Sequence, residues 1–420
     1  MEPPAHASPR DTLRARYLEV RARTERLAAP LSPEDQVLQS MPSASPTKWH
    51  RAHTTWFFEE FVLAPRGVAR VDARYAYLFN SYYEAVGARH PRPARGMLSR
   101  PSCDEVAAYR RAVDDRMVAL LDALDDAALH ALTPILSLGL AHEEQHQELL
   151  LTDIHHALSQ NPLRPAYLPG APATPHVSVD DAWIEHPGGL LTFGHAGHDF
   201  AFDNEAPTHR AWIEPFAVSR RLVRVRDVVA FAREGGYRAP ALWLSEGYDW
   251  ARAHDIKAPL YATIEGDVMH AFTLHGERVL DPDAPTTNLS YYEADAIARY
   301  LGHRLPTEFE WEAVAGDDSR GGHQLDVEAQ GVTSSLLAVA TESLYGGVWA
   351  WTASSYEAYP GFTAAVGAVG EYNGKFMVNQ RVLRGGSMYT PRGHMRRTYR
   401  NFWHPDTRFQ RTGLRLARRA

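Results

Sequence analysis

Two histidines four residues apart, His142 and His146, form the most informative pattern in this chain. They lie in a strongly helical stretch, about residues 132–158, so their imidazoles are expected one above the other on one helix face. Nitrogens from successive turns can bind one metal ion, and the string also satisfies the His-Glu-x-x-His pattern of zinc proteases. The alternative is a solvated helix face in a chain that has 21 histidines. The spacing predicts a metal site without naming the metal or the reaction.

A third candidate ligand, His53, lies in a second segment that begins like a helix. Ser45 is expected as its N-cap and Pro46 in its first turn. His53 shares one apolar face with Trp49, Ala52, Trp56 and Phe57. A histidine on a buried face is more often a hydrogen-bonded core residue, which is the alternative here. Three neutral imidazoles facing inward from two helices would instead leave a metal open positions for water, oxygen or substrate, as in catalytic sites.

Composition excludes several classes of protein. The 420 residues suffice for two or three domains, and the hydrophobic and charged fractions of 45% and 23% are ordinary for a globular protein. The net charge of -7 argues against general nucleic-acid binding. The sequence has no apolar run of about 18 residues and no apolar N-terminal signal region, so we expect neither a membrane span nor secretion. Cys103 is the only cysteine, which excludes intrachain disulfides and thiolate metal clusters and indicates a cytoplasmic protein.

The first part of the chain is expected to be a helical bundle that positions the three histidines. Residues 1–10 have the composition of a disordered leader, and the pattern is helical over 11–160. Besides the His53 helix, we expect a helix over residues 11–27 with Asp11 as its cap, and helices over 102–124 and 132–158. Bundles of about four helices commonly build metal sites from side chains on facing helices. A long loop, about residues 65–100, is a candidate functional loop because it exceeds an ordinary connection.

The second part is expected to be an α+β domain. Residues 161–179 are rich in proline and are expected to form a linker, and from about 180 to 420 glycine and aromatic residues increase. A helix is predicted from Ser290, as N-cap, to Leu301. A second helix is predicted to begin at Thr307, with Glu310 placed for a capping box.

Several motifs together resemble one family. The second half resembles the formylglycine-generating-enzyme (sulfatase-modifying factor) fold through Pro187-Gly188-Gly189, Phe202-Asp203-Asn204-Glu205, Arg304-Leu305-Pro306-Thr307-Glu308 and Leu383-Arg384-Gly385-Gly386-Ser387. The first half resembles a DinB-type bundle. With Trp49-His50-x-Ala52-His53 and Phe79-Asn80-Ser81-Tyr82-Tyr83-Glu84, the combination resembles the ergothioneine-biosynthesis sulfoxide synthases, or hercynine oxygenases. This resemblance implies a DinB-like four-helix bundle followed by a C-type-lectin-like, formylglycine-generating-enzyme-type α+β domain.

The resemblance also implies an activity. It is the iron(II)- and O2-dependent formation of a carbon–chalcogen bond at imidazole C2 of hercynine, the trimethylammonium betaine of histidine. The iron ligands would be His53, His142 and His146, and Gln145 matches a residue that contacts hercynine. Three neutral imidazoles leave iron(II) open sites for oxygen and a soft sulfur or selenium atom.

The loop after the first ligand helix holds further candidates. Tyr82 and Tyr83 match an active-site tyrosine pair that supplies a proton or hydrogen bond during oxygen activation. Arg92 and Arg95 are candidates to hold the carboxylate of the sulfur donor, since a guanidinium bonds both carboxylate oxygens. The alternatives are loop-packing aromatics for the tyrosines and solvated surface charges for the arginines.

Departures from the family concentrate near the C-terminus. Phe402 and Trp403 fall where the family places two pocket aromatics, which suit a quaternary ammonium, although they could also be core residues. Relatives commonly have Cys-Ala and Pro where this chain has Met388-Tyr389 and His404. Tyr389, Trp403 and His404 are therefore candidate substrate contacts, and we predict altered donor selectivity.

Neither the donor nor the reaction class is fixed by these residues alone. A selenosugar donor, as in selenoneine synthase, is favoured over cysteine or γ-glutamylcysteine, although neutral drift within the sulfur branch gives the same substitutions. The copper-dependent formylglycine-generating activity requires cysteines that this chain lacks. A zinc-dependent thiol transferase of the DinB type and a non-catalytic binding protein are the competing functions. No nucleic-acid or membrane partner is expected.

Overall fold

The structure, a computed structural model, divides into two units. It describes residues 8–170, 180–337, 343–365, 370 and 372–420. The first unit comprises the described residues within 1–157, 327–332 and 366–372, and the second comprises the others. Residues 1–7 of the predicted leader at 1–10 and residues 171–179 of the predicted linker at 161–179 lie outside the described residues. The end of the predicted leader is wrong, because the first helix already begins at Pro9. No helix in the described ranges is both long and apolar enough to cross a membrane.

The first unit is helical, as expected. Its α-helices are α1 Pro9–Ala28, α2 Thr47–Phe58, α3 Tyr75–Phe79, α4 Cys103–Ala123 and α5 Asp126–Ser159. The predicted start of α4 is confirmed, because Ser102 and Glu105 form a capping box that satisfies free N–H groups of the first turn. The predicted start near 132 is wrong for α5, which begins six residues earlier and carries Pro134 within it.

The N-terminal caps of α1 and α2 differ from the prediction. Ser8, not Asp11, caps α1, and the Ser8 side chain accepts a hydrogen bond from the Asp11 N–H. Pro46 occupies the cap position of α2 instead of Ser45. The Ser45 N–H is held by a carboxylate of α5, because it donates to Asp153 Oδ2 at 2.8 Å. The Ser45 hydroxyl, the group that would cap the helix, accepts a hydrogen bond from Arg95 at 2.9 Å instead.

The predicted loop at 65–100 is folded on itself. Besides α3 it contains 3-10 turns at Glu84–Val86 and Arg92–Met97. The Asn80 side chain accepts the Tyr83 N–H and donates to the Tyr83 and Gly87 carbonyls. This side chain replaces missing backbone pairing and fixes the position of the two consecutive tyrosines.

The second unit is α+β. Its strands are β1 Trp183–His186, β2 Gly189–Phe193, β3 His209–Ile213, β4 Phe216–Ser219, β5 Ala262–Glu265, β6 Val268–Thr273 and β7 Gly276–Val279. The next two strands, β8 Val327–Glu328 and β9 Gly331–Val332, form a short hairpin that belongs to the first unit. The second unit then continues with β10 Trp349–Ser355, β11 Arg381–Arg384, β12 Asn401–Trp403, β13 Thr412–Gly413 and β14 Ala417–Arg419. The sheets run β1-β4-β14, β12-β11-β10-β13, β2-β3 and β5-β6-β7, and only the β10–β13 pair is parallel within these described sheets.

Four helices accompany these strands: α6 Val225–Arg233, α7 Ser245–Ala253, α8 Tyr291–Tyr300 and α9 Glu308–Val314. The predicted helices α8 and α9 are confirmed, with capping boxes at Ser290 and Thr307. Sequence analysis missed α6 and α7. The signal for α6 was present, because Val225, Val228 and Val229 recur at helical spacing and are buried.

The sequence motifs of the second half meet in its core. Arg384 donates to Glu308 and Glu312 at 2.9 Å each, and Arg400 also forks onto Glu308. Burial raises the pKa of Glu308, but the two guanidiniums lower it more, so its carboxyl pKa lies below the ordinary value. These motif residues hold α9 against the sheet and are a structural framework.

Candidate metal centre

The α2 helix presents His53 edge-on to its neighbours. Its ring lies between two tryptophans of the same helix, stacked on Trp49 with centroids 4.4 Å apart and on Trp56 at 5.6 Å. His53 Nδ1 lies 2.6 Å from the Phe79 carbonyl oxygen, which can only accept. The ring hydrogen is therefore on Nδ1, and the Nε2 lone pair is free to bind a metal.

The α5 helix brings the other two imidazoles to the same place. The ring centroids of His53, His142 and His146 are 4.6 to 4.9 Å apart. One nitrogen from each ring lies within 4.8 Å of the others. The structure thus brings all three histidines singled out in the sequence into one cluster within the helical unit.

Burial keeps these imidazoles neutral. It lowers the pKa of His142 to about 3 and the pKa of His53 well below its ordinary value, where His142 lowers it further. Burial and the neighbouring imidazoles also lower the pKa of His146. Desolvation disfavours the imidazolium form, and neutral imidazole is the form that binds metals.

The cluster passes a test of fit for a bound cation. His53 Nε2, which carries no hydrogen, lies 3.1 Å from His142 Nε2. His142 Nδ1 is buried and has no hydrogen-bond partner in the described part of the chain. Converging lone pairs with no partner of opposite charge are an arrangement that a metal ion completes. These three residues could hold a metal.

Glu143, the glutamate of the zinc-protease pattern, faces away from the cluster. It accepts hydrogen bonds from Arg21 at 2.8 Å, Arg110 at 3.0 Å and Thr24 at 2.6 Å. Burial raises the pKa of Glu143, but the two guanidiniums lower it below its ordinary value overall. A carboxylate held this way is not positioned to act as a general base, which argues against protease chemistry.

Tyr372 is a site residue that sequence analysis missed. Its hydroxyl donates to Gln145 Oε1, and its ring meets the His142 ring edge-to-face with centroids 5.8 Å apart. Gln145 therefore lies beside the cluster. The sequence signal at this position was a predicted turn, Tyr-Asn-Gly-Lys, of which Tyr372 is the first residue. A turn gives no indication of a contact with a residue 227 positions earlier.

The two consecutive tyrosines differ in environment. Tyr83 is fully buried, with its ring near Trp56 and Phe61. Tyr82 is half-buried, stacks on Tyr83 at 4.6 Å and lies edge-to-face to Tyr372 at 6.1 Å. Tyr82 is therefore the one of the pair that reaches the Tyr372 ring directly.

The two loop arginines also differ. The Arg92 side chain is exposed and donates to the Ser43 carbonyl. Arg95 is buried, with its guanidinium 3.4 Å over the Trp49 ring, and donates to Ser45 and Ser81 hydroxyls. Burial lowers the pKa of Arg95 to about 8. No carboxylate in the described ranges lies within ion-pair distance of it, so Arg95 is suited to an anion from outside the chain.

The C-terminal candidates belong to the second unit. Phe402 stacks on Tyr356 with centroids 3.9 Å apart, and Trp403 meets Phe409 edge-to-face. His404 is exposed. The remaining candidate, Tyr389, is fully buried, and the Arg411 guanidinium lies 5.2 Å from its ring centre. Trp403 is half-buried and its Nε1 has no hydrogen-bond partner among the described residues.

Comparison with known families decides the affiliation. Residues 171–333 and 338–420 match the model of the sulfatase-modifying factor enzyme 1-like domain. The chain belongs to this family. Residues 16–150, which include all three clustered histidines, match the DinB superfamily.

Relatives that match nearly the whole chain are named hercynine oxygenase. A hercynine oxygenase of Mycolicibacterium thermoresistibile is 29% identical over 407 residues, covering 90% of this chain and 88% of the relative. A hercynine oxygenase of Mycolicibacterium smegmatis is 28% identical, and the aligned region covers 97% of this chain and 99% of that enzyme. A formylglycine-generating enzyme of Thermomonospora curvata is 28% identical, but the aligned region covers only 55% of this chain, together with 91% of that enzyme. The resemblance to the ergothioneine-biosynthesis sulfoxide synthases, with a helical DinB-like region before an α+β sulfatase-modifying-factor domain, is thereby confirmed.

Proposed function

We propose that this protein is an iron(II)- and O2-dependent oxidoreductase that joins a chalcogen atom to imidazole C2 of hercynine. The observation that carries this proposal is the cluster of three neutral imidazoles on α2 and α5, of which His53 and His142 are buried and His146 is half-buried. Iron(II) held by three neutral nitrogens supplies redox chemistry with O2 and retains open positions. The relatives named hercynine oxygenase, which span nearly the whole chain, support the choice of substrate.

The overall reaction balances without a further oxidant. The C2–H bond of the imidazole and the S–H or Se–H bond of the donor are broken, and a carbon–chalcogen bond forms. The four electrons needed come from these two bonds and from oxidation of the chalcogen to its oxide. O2 accepts them, and one oxygen atom remains on the chalcogen while the other leaves as water with the two hydrogens.

The protein's own residues would bind the substrates and control protons. The Tyr372 hydroxyl, held by Gln145, is positioned to hold or donate a proton beside the His142 ring. Tyr82 meets the Tyr372 ring edge-to-face and would restrict its position. The tryptophans around His53 exclude water from the histidine cluster.

For the donor, we propose a selenosugar. The motivation is the set of substitutions in the second unit, where Trp403 has a free indole N–H within the described structure and could donate to a sugar hydroxyl. A second candidate is a thiol amino acid or peptide, either cysteine or γ-glutamylcysteine. The observation that favours it is Arg95, whose buried guanidinium suits a carboxylate. The fully buried Met388 and Tyr389 are equally compatible with changes in packing.

A competition experiment tests this proposal. Protein reconstituted with iron(II) without oxygen is mixed with hercynine and equal amounts of selenosugar, cysteine and γ-glutamylcysteine, and O2 is then admitted. We expect oxygen consumption and one dominant hercynine adduct, containing selenium, in the mass spectrum. A sulfur adduct as the main product would replace the selenosugar by the second candidate.

Two different outcomes would overturn the reaction class. Donor transfer that proceeds with zinc and without O2 would identify a thiol transferase. Iron binding without oxygen consumption in the presence of hercynine and all three donors would identify a binding protein. Zinc-loaded protein and protein without added metal are the matched controls for both outcomes.

A further inference from the structure

A line of three hydrogen-bonded groups runs behind the histidine cluster. His50 Nδ1 lies 2.8 Å from His146 Nδ1, and His50 Nε2 lies 3.0 Å from Asp153 Oδ2. His50 and Asp153 are buried. Asp153 follows His146 by two turns of α5, so both project from one helix face, and His50 of α2 lies between them. Neither His50 nor Asp153 has a part in the proposed reaction.

The hydrogens along this line can be assigned from the obligate donors and acceptors. Asp153 Oδ2 accepts the backbone N–H of Ser45 at 2.8 Å, and an ionised carboxylate can only accept. His50 therefore donates through Nε2. A neutral His50 then has a lone pair on Nδ1, so the hydrogen between the two Nδ1 atoms belongs to His146. With its hydrogen on Nδ1, His146 has a free lone pair on Nε2 for a metal. The carboxylate thus selects the tautomer of the ligand through an intervening imidazole.

The three candidate ligands are supported differently. The Phe79 carbonyl fixes His53, whereas His142 Nδ1 has no partner in the described part of the chain. His146 alone is connected to a carboxylate, and Ser45 connects that carboxylate to the buried Arg95 through its hydroxyl. A carboxylate behind an imidazole increases its basicity and fixes its ring. His146 should be the most strongly oriented ligand.

We propose that His50 and Asp153 are positioning residues for the metal centre, acting in series on His146. The inference rests on the proposed metal site, but it does not depend on hercynine, O2 or the donor. It also explains why α2 supplies two histidines, because His53 contributes a ligand while His50 orients the ligand that comes from α5.

Metal affinity in the absence of substrates tests the inference. Co(II) is titrated into metal-free wild-type protein, Asp153→Asn, His50→Phe and the double variant, and the visible absorption of bound Co(II) is recorded. Each single variant should bind Co(II) about 10- to 100-fold more weakly, with a shifted spectrum, because an outer partner of a ligand has been lost. The double variant should match His50→Phe, because Asp153 acts only through His50.

Two further variants separate orientation from general damage. His50→Gln, which can accept on one side and donate on the other, should recover part of the affinity. Asp114→Asn removes a carboxylate that bonds Tyr17 and Arg21 in the same bundle, and should leave the affinity and spectrum unchanged. Circular dichroism shows which variants are folded, and if His50→Phe does not fold, Asp153→Asn and His50→Gln still decide.

The outcomes distinguish this inference from the proposed function. A folded Asp153→Asn with affinity within about twofold of wild type and an unchanged spectrum would overturn it. Additive losses in the double variant would overturn the serial arrangement. Weakened Co(II) binding in an enzyme that never oxidises hercynine would sink the proposed function and leave this inference intact. A wild-type protein that binds no metal would overturn both.

Discussion

Two adjacent rows of side chains on α5 carry buried polar groups of opposite kinds. One row, with His142 and His146, faces His53 of α2, and one nitrogen of each of the three rings lies within 4.8 Å of the others. The next row, with Glu143 and Gln147, faces α1. Glu143 is fully paired there, whereas Gln147 Oε1 has no hydrogen-bond partner among the described residues. Gln147 donates to the Val20 carbonyl and to Thr24, and Glu143 is bonded by two arginines.

The difference shows how to separate a site from a framework within one short motif. A buried carboxylate whose charge is balanced by two guanidiniums needs no ligand and serves to fix the helices. A cluster of neutral groups whose lone pairs converge is completed by a cation. The glutamate of His-Glu-x-x-His belongs to the first kind here and the two histidines to the second, so the motif spans two functions.

The strongest test of this contrast replaces one residue in each row, in two separate variants. His142→Ala should abolish stoichiometric iron binding while the bundle remains folded, because this ring is a candidate metal ligand and takes no part in an ion pair between helices. Metal content after reconstitution and desalting gives the result. His130→Ala, an exposed histidine earlier on α5, is the matched control and should retain the metal.

The reciprocal change gives the opposite pattern. Glu143→Gln should lower the free energy of unfolding by about 3 kcal/mol, because two buried guanidiniums each lose a charge-assisted hydrogen bond, although Arg21 keeps Asp114 and Arg110 keeps Glu25. The folded fraction should still bind iron. Loss of iron from folded Glu143→Gln, or a stoichiometric metal in His142→Ala, would show that the two rows do not differ in this way.

A smaller effect is expected at the edge of the histidine row. Tyr372→Phe should slow product formation by about 100-fold or divert the products, without loss of iron, because a proton donor beside His142 is removed. Tyr83→Phe is the comparison, since that ring is packed in the core and its change should affect rate less. Single-turnover kinetics with product analysis measures both, and equal rates in wild type and Tyr372→Phe would remove Tyr372 from the chemistry.

The smallest expected effect is the loss of stability of the metal-free protein when the pH is lowered. His142 has a pKa of about 3 in the folded protein, against an ordinary value of 6.5, so between these values the unfolded chain binds a proton that the folded chain does not. Stability is therefore retained above about pH 6.5 and falls as the pH drops through that window. At about pH 5.5 this single histidine should cost the metal-free protein about 1 kcal/mol relative to neutral pH.

Urea unfolding of the metal-free protein at both pH values measures the acid effect. The matched variant is His142→Gln, which fills a similar volume and does not titrate, so its loss of stability on acidification should be smaller by that amount. An identical loss in both proteins would contradict the burial of a neutral His142.

Local signals predicted much of the fold. The predicted capping box at Thr307, N-cap at Ser290 and helix start at 102 are confirmed, because these signals are local, and hydrophobic periodicity indicated the long helices. Errors occurred where a distant group decides. Ser45 does not cap α2, and its hydroxyl instead accepts a hydrogen bond from Arg95, 50 positions later.

By itself the sequence determined that two imidazoles lie on successive turns of one helix, since helical geometry dictates that from spacing alone. It also determined the family, through the order of its motifs. Only the tertiary structure decided that His53 meets His142 across 89 positions, that Glu143 turns to two arginines and that Tyr372 joins the histidines. Such contacts depend on how helices pack and chain segments return, and spacing along the chain does not encode that packing.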